Sequence, residues 1–225
     1  MSRLAPLVFA VACTAGCASV AEPLVTTQVA EPDLAGFIAN GPPPDLQDLA
    51  MPKAEPDGGG LYVCDLHKVR INELSTGGAG GATDEYIELY NPCMSTVPLS
   101  GGKIAYRAST SGGDNFTFVT FASETIPGHG YFLVANGNFA GTADIKPFQS
   151  GGGMAAAGGG VALKDAQDAV IDSLGWGTAV NAYVEGTVLG APATSQAAAR
   201  ITDGADTNNN AADFALTART PGAAN

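Results

Sequence analysis

The chain has 225 residues and a formal net charge of −12, from 10 Lys and Arg against 22 Asp and Glu. That length accommodates one domain of ordinary size with extensions. The acidic balance and the lack of any Lys/Arg cluster exclude a nucleic-acid backbone as a direct ligand, because such contacts rest on basic side chains.

The first stretch, MSRLAPLVFAVACTAGC, carries one early positive residue, Arg3, then the mostly apolar run Leu4–Cys13. A lone helix needs about 20 apolar residues to span a bilayer, and this run is shorter. It reads as a signal peptide over residues 1–17. Thr14-Ala15-Gly16-Cys17 is similar to the lipobox of bacterial lipoproteins, in which small residues precede an acylated cysteine. That resemblance implies lipidation at Cys17, a lipid anchor, and an exported protein at the outer membrane or cell surface. Ala18 is not the aspartate that resembles an inner-membrane retention signal. The competing readings are an ordinary secretory peptide cleaved near Ser19 or Ala21, giving a secreted protein, and a retained membrane helix.

Residues 18–60 hold seven prolines and seven acids, with Lys53 as the sole counter-charge, and close on Asp57-Gly58-Gly59-Gly60. No apolar period is sustained there. The segment reads as a disordered or extended acidic linker, stiffest where proline is dense. Beyond the leader two cysteines remain, Cys64 and Cys93. An even pair in an exported chain points to a disulfide, with two buried thiols as the alternative. No CxxC or CxxH spacing supports zinc, haem or thioredoxin chemistry.

From Leu61 the pattern becomes that of strands. LYVCDLHKVRINELS places Val69, Ile71 and Glu73 on one face by alternation. The loop GGAGGA (77–82) follows, then EYIELYNP, which ends on turn residues. KIAYRA (103–108), NFTFVTF (115–121) and YFLVAN (131–136) are the next expected strands. In VALKDAQDAVIDSLGW, Lys164–Asp168 reads as a hairpin connection. Met154–Ala157, between two glycine runs, is a candidate scrap of helix. Six to eight short strands with Gly, Pro and Asn turns predict an all-β sandwich over residues 61–225, about 160 residues.

Taken in order, INELSTGG, DEYIELYNP, VPLSGGKI, IPGHGYFLVAN, GGGVALKDAQDAVIDSLGWG, DTNNNAADF and TPGAAN resemble the lamin tail domain family over roughly Val69–Asn225. The resemblance implies an immunoglobulin-like β-sandwich and a structural or interaction role. Ser100-Gly101-Gly102 departs from the family's usual small residue, glycine and tryptophan, which leaves the packing of that edge open. The Cys64–Cys93 pair lies outside the shared pattern. As a disulfide it closes a loop of about 30 residues, for an expected stabilisation of roughly 3–4 kcal/mol.

No residue is expected to be catalytic. Glu73, Glu85 and Glu88 could form an acid/base pair or hold a hard cation, but polar positions of the sandwich account for them more simply. His67 and His129, the only two histidines, read as surface and turn residues. No serine sits in G-x-S-x-G, and the glycine runs lack phosphate-binding context, so they read as loop composition. Trp176 reads as packing rather than a carbohydrate platform. In DGADTNNNAADF, the oxygens of Asp203, Asp206, Asn208 and Asn210 are spaced closely enough for Ca²⁺. The EF-hand spacing is absent, and Asp and Asn also bond their own backbone, so a polar turn capping the fold is the leading expectation. Two functions follow. One is a non-catalytic envelope module, tethered by lipid, whose partner is an envelope protein or a polysaccharide. The other is a Ca²⁺-binding extracellular adhesion or hydrolase-accessory protein.

Overall fold

The computed structural model describes residues 63–148 and 152–225. The signal peptide, Cys17 and the linker expected over 18–60 lie outside the described residues. The chain enters through a 3₁₀ turn at Leu66–Lys68, where the Asp65 carboxylate accepts the His67 N–H at 2.9 Å. The strands are β1 (Arg70–Ser75), β2 (Tyr86–Tyr90), β3 (Val97–Pro98), β4 (Lys103–Ala108), β5 (Phe116–Thr120) and β6 (Thr125–Ile126). They continue as β7 (Tyr131–Asn136), β8 (Ile145–Phe148), β9 (Gly158–Lys164), β10 (Val170–Gly177) and β11 (Gln196–Arg200). A single helical turn, α1 (Asn210–Asp213), leads into β12 (Phe214–Ala218).

Two sheets face each other, as the alternating strands predict. The larger runs β12-β11-β1-β2-β7-β8 and the smaller β10-β9-β4-β5, with β3-β6 as a separate ribbon. Ile71, Leu89 and Val134 from the first sheet meet Ile104, Leu163 and Trp176 from the second in one buried cluster. Each strand buries its alternate residues in this layer because pleating sends successive side chains to opposite faces. The structure is the immunoglobulin-like all-β sandwich expected from the sequence.

Three details differ from the pattern read in one dimension. A bulge between Ile71 and Glu73 shifts parity in β1. Ile71 and Leu74 therefore enter the core, and Glu73 faces the opposite side instead of sharing a face with Ile71. Met154–Ala157 is not helix: Met154 and Ala155 form no regular element and Ala156 and Ala157 a turn, as the flanking glycines favour. Gly158–Gly160 are not loop; they form the buried first half of β9. The Asn181–Tyr183 segment lies against them, and a Cβ on Gly160 would stand 2.8 Å from both Asn181 Oδ1 and Tyr183 Cβ. Glycine admits that layer where a side chain would not.

The edge left open by Ser100-Gly101-Gly102 is packed by a substitute. A Cβ on Gly102 would lie 2.9 Å from Leu66 Cδ2, so Leu66 of the entry turn covers this position. That turn is pinned by the disulfide between Cys64 and Cys93, whose Cα atoms are 5.9 Å apart.

Candidate functional site

The asparagine loop spreads its polar side chains over several partners. Asp203 accepts the Asn72 amide at 3.1 Å and the Tyr131 hydroxyl. Asp206 pairs with Arg70 Nε at 3.2 Å and accepts the Asn208 N–H at 3.0 Å. Asn208 is exposed and left-handed, with φ of 56°, a conformation asparagine tolerates. Asn210 is fully buried. Its Oδ1 accepts the N–H groups of Gly175 and Glu185 at 2.9 and 3.0 Å, and its Nδ2 donates to the Ser173 carbonyl at 2.9 Å. The four residues singled out in sequence thus point to different places rather than to one centre.

The loop is organised around Arg200. This guanidinium is 1 % exposed and stacks 4.4 Å from the Phe214 ring centroid. Its Nη2 donates to both oxygens of buried Asp172, at 3.0 and 2.9 Å, its Nε donates to the Ile71 carbonyl, and its Nη1 to that of Ala205. Asp172 Oδ2 also accepts the Ile71 N–H at 2.6 Å. Because β11 and β1 belong to one sheet and β10 to the other, this pair joins the two layers. Burial pushes the Asp172 carboxyl up, and the Arg200 charge opposes that push. Three carboxylates do converge here: single oxygens of Asp172, Glu185 and Asp206 lie within 4.8 Å of one another. Burial, reinforced by Asp172, raises Glu185 to about 7.

A second acidic locus lies on the outer face of the large sheet. Glu73 and Glu88 stand opposite each other in the β1–β2 register, both fully buried. Like charges facing across a strand pair are unfavourable without compensation. The closing segment provides donors: Thr220 gives its N–H and hydroxyl to Glu73, and the Gly222 N–H reaches Glu88 at 2.6 Å. The Tyr86 hydroxyl also donates to Glu73. Burial carries Glu88 up to about 8, with the Glu73 and Asp203 charges adding to the shift. Arg219 fastens the segment by pairing with Asp84 at 3.1 Å while lying over the Tyr86 ring.

A groove of about 420 Å³ opens where β5 begins, with Phe116, Asn115, Tyr106 and Met154 among its walls. Glu85 borders it but is nearly buried; its carboxylate accepts the Met154 N–H at 2.7 Å and the Asn136 amide at 3.2 Å. Burial raises Glu85 to about 7. Neither histidine lies in this groove. His67 sits by Asp65 and Asp165 at the surface, and His129 occupies a left-handed turn residue 3.4 Å from the Tyr90 hydroxyl. Trp176 is fully buried and donates to the Ala155 carbonyl at 3.1 Å, which makes it a packing residue.

Asp172, Glu185 and Arg200 were not singled out in the sequence. One signal was present: Asp172 places a charge inside the largely apolar strand VIDSLGW, and Arg200 closes an alanine run. A charge inside an apolar strand calls for an opposite charge elsewhere. Comparison with known proteins finds that the family model described as Lamin Tail Domain matches residues 65–178. No curated protein matches the chain. The matched span stops before the asparagine loop, which belongs to the sandwich through the pairing of β11 and β12.

Proposed function

The chain belongs to the lamin tail domain family, a family of non-catalytic immunoglobulin-like domains, and from that premise we propose a non-catalytic interaction or structural module of the cell envelope, tethered through a lipidated Cys17. The observation that carries this reading is how the fold uses its chemistry. The gathered carboxylates Glu73, Glu85, Glu88, Asp172 and Asp203 each hold backbone or side-chain donors of the same domain. They fasten loops and layers, and the surface is left for a partner, an envelope protein or a polysaccharide. Crosslinking the full chain in intact envelope, followed by recovery of its adducts, tests the reading. A specific, saturable adduct is expected, and recovery of uncrosslinked chain alone would overturn it. Labelled palmitate should enter the parent chain and not a Cys17→Ser variant; equal labelling of both would remove the anchor.

A second reading, a Ca²⁺-binding adhesion or hydrolase-accessory protein, is favoured by the convergence of Asp172, Glu185 and Asp206. Hard cations take carboxylate oxygens of this kind. Arg200 already supplies a positive charge to the same cluster, lying 3.8 Å from Asp206. The module reading therefore expects no change in melting temperature on adding Ca²⁺. A Ca²⁺-dependent rise that disappears in Asp206→Ala would establish the second reading instead.

A further inference from the structure

Residues 219–225 lie over the outer face of the larger sheet, and no residue after Phe214 is buried. The segment brings no apolar side chain to the core. Its anchors are polar and cation–π contacts. Arg219 pairs with Asp84 at 3.1 Å and lies over the Tyr86 and Phe139 rings, 4.8 and 5.5 Å from their centroids. Thr220 gives its N–H and hydroxyl to Glu73 at 2.9 and 2.7 Å, and Gly222 gives its N–H to Glu88 at 2.6 Å. Asn225 Nδ2 reaches the carbonyls of Asn72 and Arg200, each at 3.1 Å. Beneath these contacts Glu73 and Glu88 face each other across β1 and β2, fully buried, and no ion pair reaches either one among the described residues. Among the described residues, the buried side-chain atoms without a hydrogen-bond partner are Asn72 Oδ1 and Arg219 Nε, and both belong to this interface. Buried polar atoms without partners are rare and costly, and so are like charges opposed across a strand pair. The unmet atoms and the opposed acids thus lie under a segment that has no apolar anchor.

We propose that residues 219–225 form a pH-released strap, which stays down while the Glu73–Glu88 pair holds a proton and lifts when both carboxylates are charged, uncovering the acid pair and the Tyr86 ring. The titratable groups that face Glu88 are Glu73 on β1, Tyr131 on β7 and Asp203 of the asparagine loop, none of them a cation at neutral pH. The strap's own cation, Arg219, is committed to Asp84. The guanidinium of Arg200 on β11 points between the sheets toward Asp172, and only its carbonyl touches the strap. Burial carries Glu88 to about 8 against the opposing pull of the Gly222 N–H and the Asn72 amide, and the Glu73 and Asp203 charges add to the rise. With the strap lifted, the carboxyl meets water and returns toward its ordinary value near 4.5. The closed form therefore binds the proton more tightly. Closure is fully supported near pH 4.5 and below, and that support is lost as pH rises toward about 8.

The test is limited trypsin digestion of the full chain at pH 6 and pH 9, followed by mass spectrometry. Trypsin cuts after Arg219 only when that side chain has left Asp84, and the cut removes residues 220–225. Rates are divided by those of a free peptide with the sequence FALTARTPGAAN, which corrects for the enzyme's own pH dependence. When opening and closing are fast, the corrected rate follows the open population. It should rise roughly tenfold or more from pH 6 to pH 9, since each unit between closed and open pKa values is worth about tenfold in the equilibrium. Cleavage after Arg107 and Arg200, which lie within β4 and β11, should stay slow at both pH values. Glu88→Gln should abolish the rise. An equal corrected rate at the two pH values overturns the proposal, as does cleavage after Arg219 that appears only together with cleavage after Arg107 and Arg200, the mark of global unfolding. A rise that persists in Glu88→Gln overturns it as well. The parent chain alone decides the matter if that variant does not fold.

Discussion

Arg200 and Asp172 form a buried ion pair between the two sheets of the sandwich. The two are buried, doubly hydrogen-bonded, and drawn from different sheets. Removing one partner leaves the other as an uncompensated buried charge, which typically costs about 3–5 kcal/mol. Arg200→Met is therefore expected to lower the unfolding free energy by about that amount, measured by urea titration. Pairing it with Asp172→Leu should recover only part of the loss, because the Ile71 N–H then also loses its acceptor. An unchanged midpoint in Arg200→Met would show that the pair does not hold the layers. The sequence exposes the two charges but not their meeting, since 28 residues separate them. Their encounter depends on a crossing between sheets that no local pattern encodes.

Among the elements, the entry turn and its disulfide are the clearest case of a local pattern completed by tertiary packing. Cys64 and Cys93 could be paired from their even count together with the export expected from the leader. That Leu66 covers Gly102 could not, because 36 positions separate the two and only the fold brings them together. Cys64→Ser combined with Cys93→Ser should reduce stability by roughly 3–4 kcal/mol, the value for a loop of this length. Equal thermal midpoints of parent and double variant would refute that. Strand β11 is harder to see: QAAAR has three alanines, which favour strands weakly. It becomes a strand because β1 and β12 flank it. Likewise the glycines of β9 look like loop until the segment that lies on them is known.

For the molecule as a whole, the buried acids set a pH profile. Burial lifts Glu88 to about 8 and Glu85 and Glu185 to about 7. In the folded chain each keeps its proton through a window where the unfolded chain, with an ordinary value near 4.5, has lost it. Unfolding then releases protons, so stability falls as pH rises from about 4.5 to about 8 and levels off above. On the acid side the signs reverse. Arg219 holds Asp84 low, and Tyr183, Arg107 and Lys164 overcome burial to hold Asp114 at about 2. Their stabilisation is lost as pH falls through those values. Maximum stability is expected in mildly acidic solution, and urea midpoints at several pH values check it. Glu88→Gln should flatten the decline toward alkaline pH; an identical slope in that variant would remove Glu88 as its source.

The sequence by itself determined the class of fold, the strands whose alternation is regular, the lamin-tail-like character and the cysteine pair. These are readable because strand period, turn residues and cysteine count are local or additive properties of the chain. Only the tertiary structure decided which face Glu73 takes, since one bulge reverses the parity of everything after it. It also decided what the asparagine loop is built around. Asp203, Asp206, Asn208 and Asn210 look like one ligand set because they are neighbours in sequence. In the folded chain they serve β1, β7, β10 and their own turn, around a guanidinium from β11. Side-chain oxygens take their partners from what the fold brings within about 3 Å, and that is a property of packing, not of spacing along the chain.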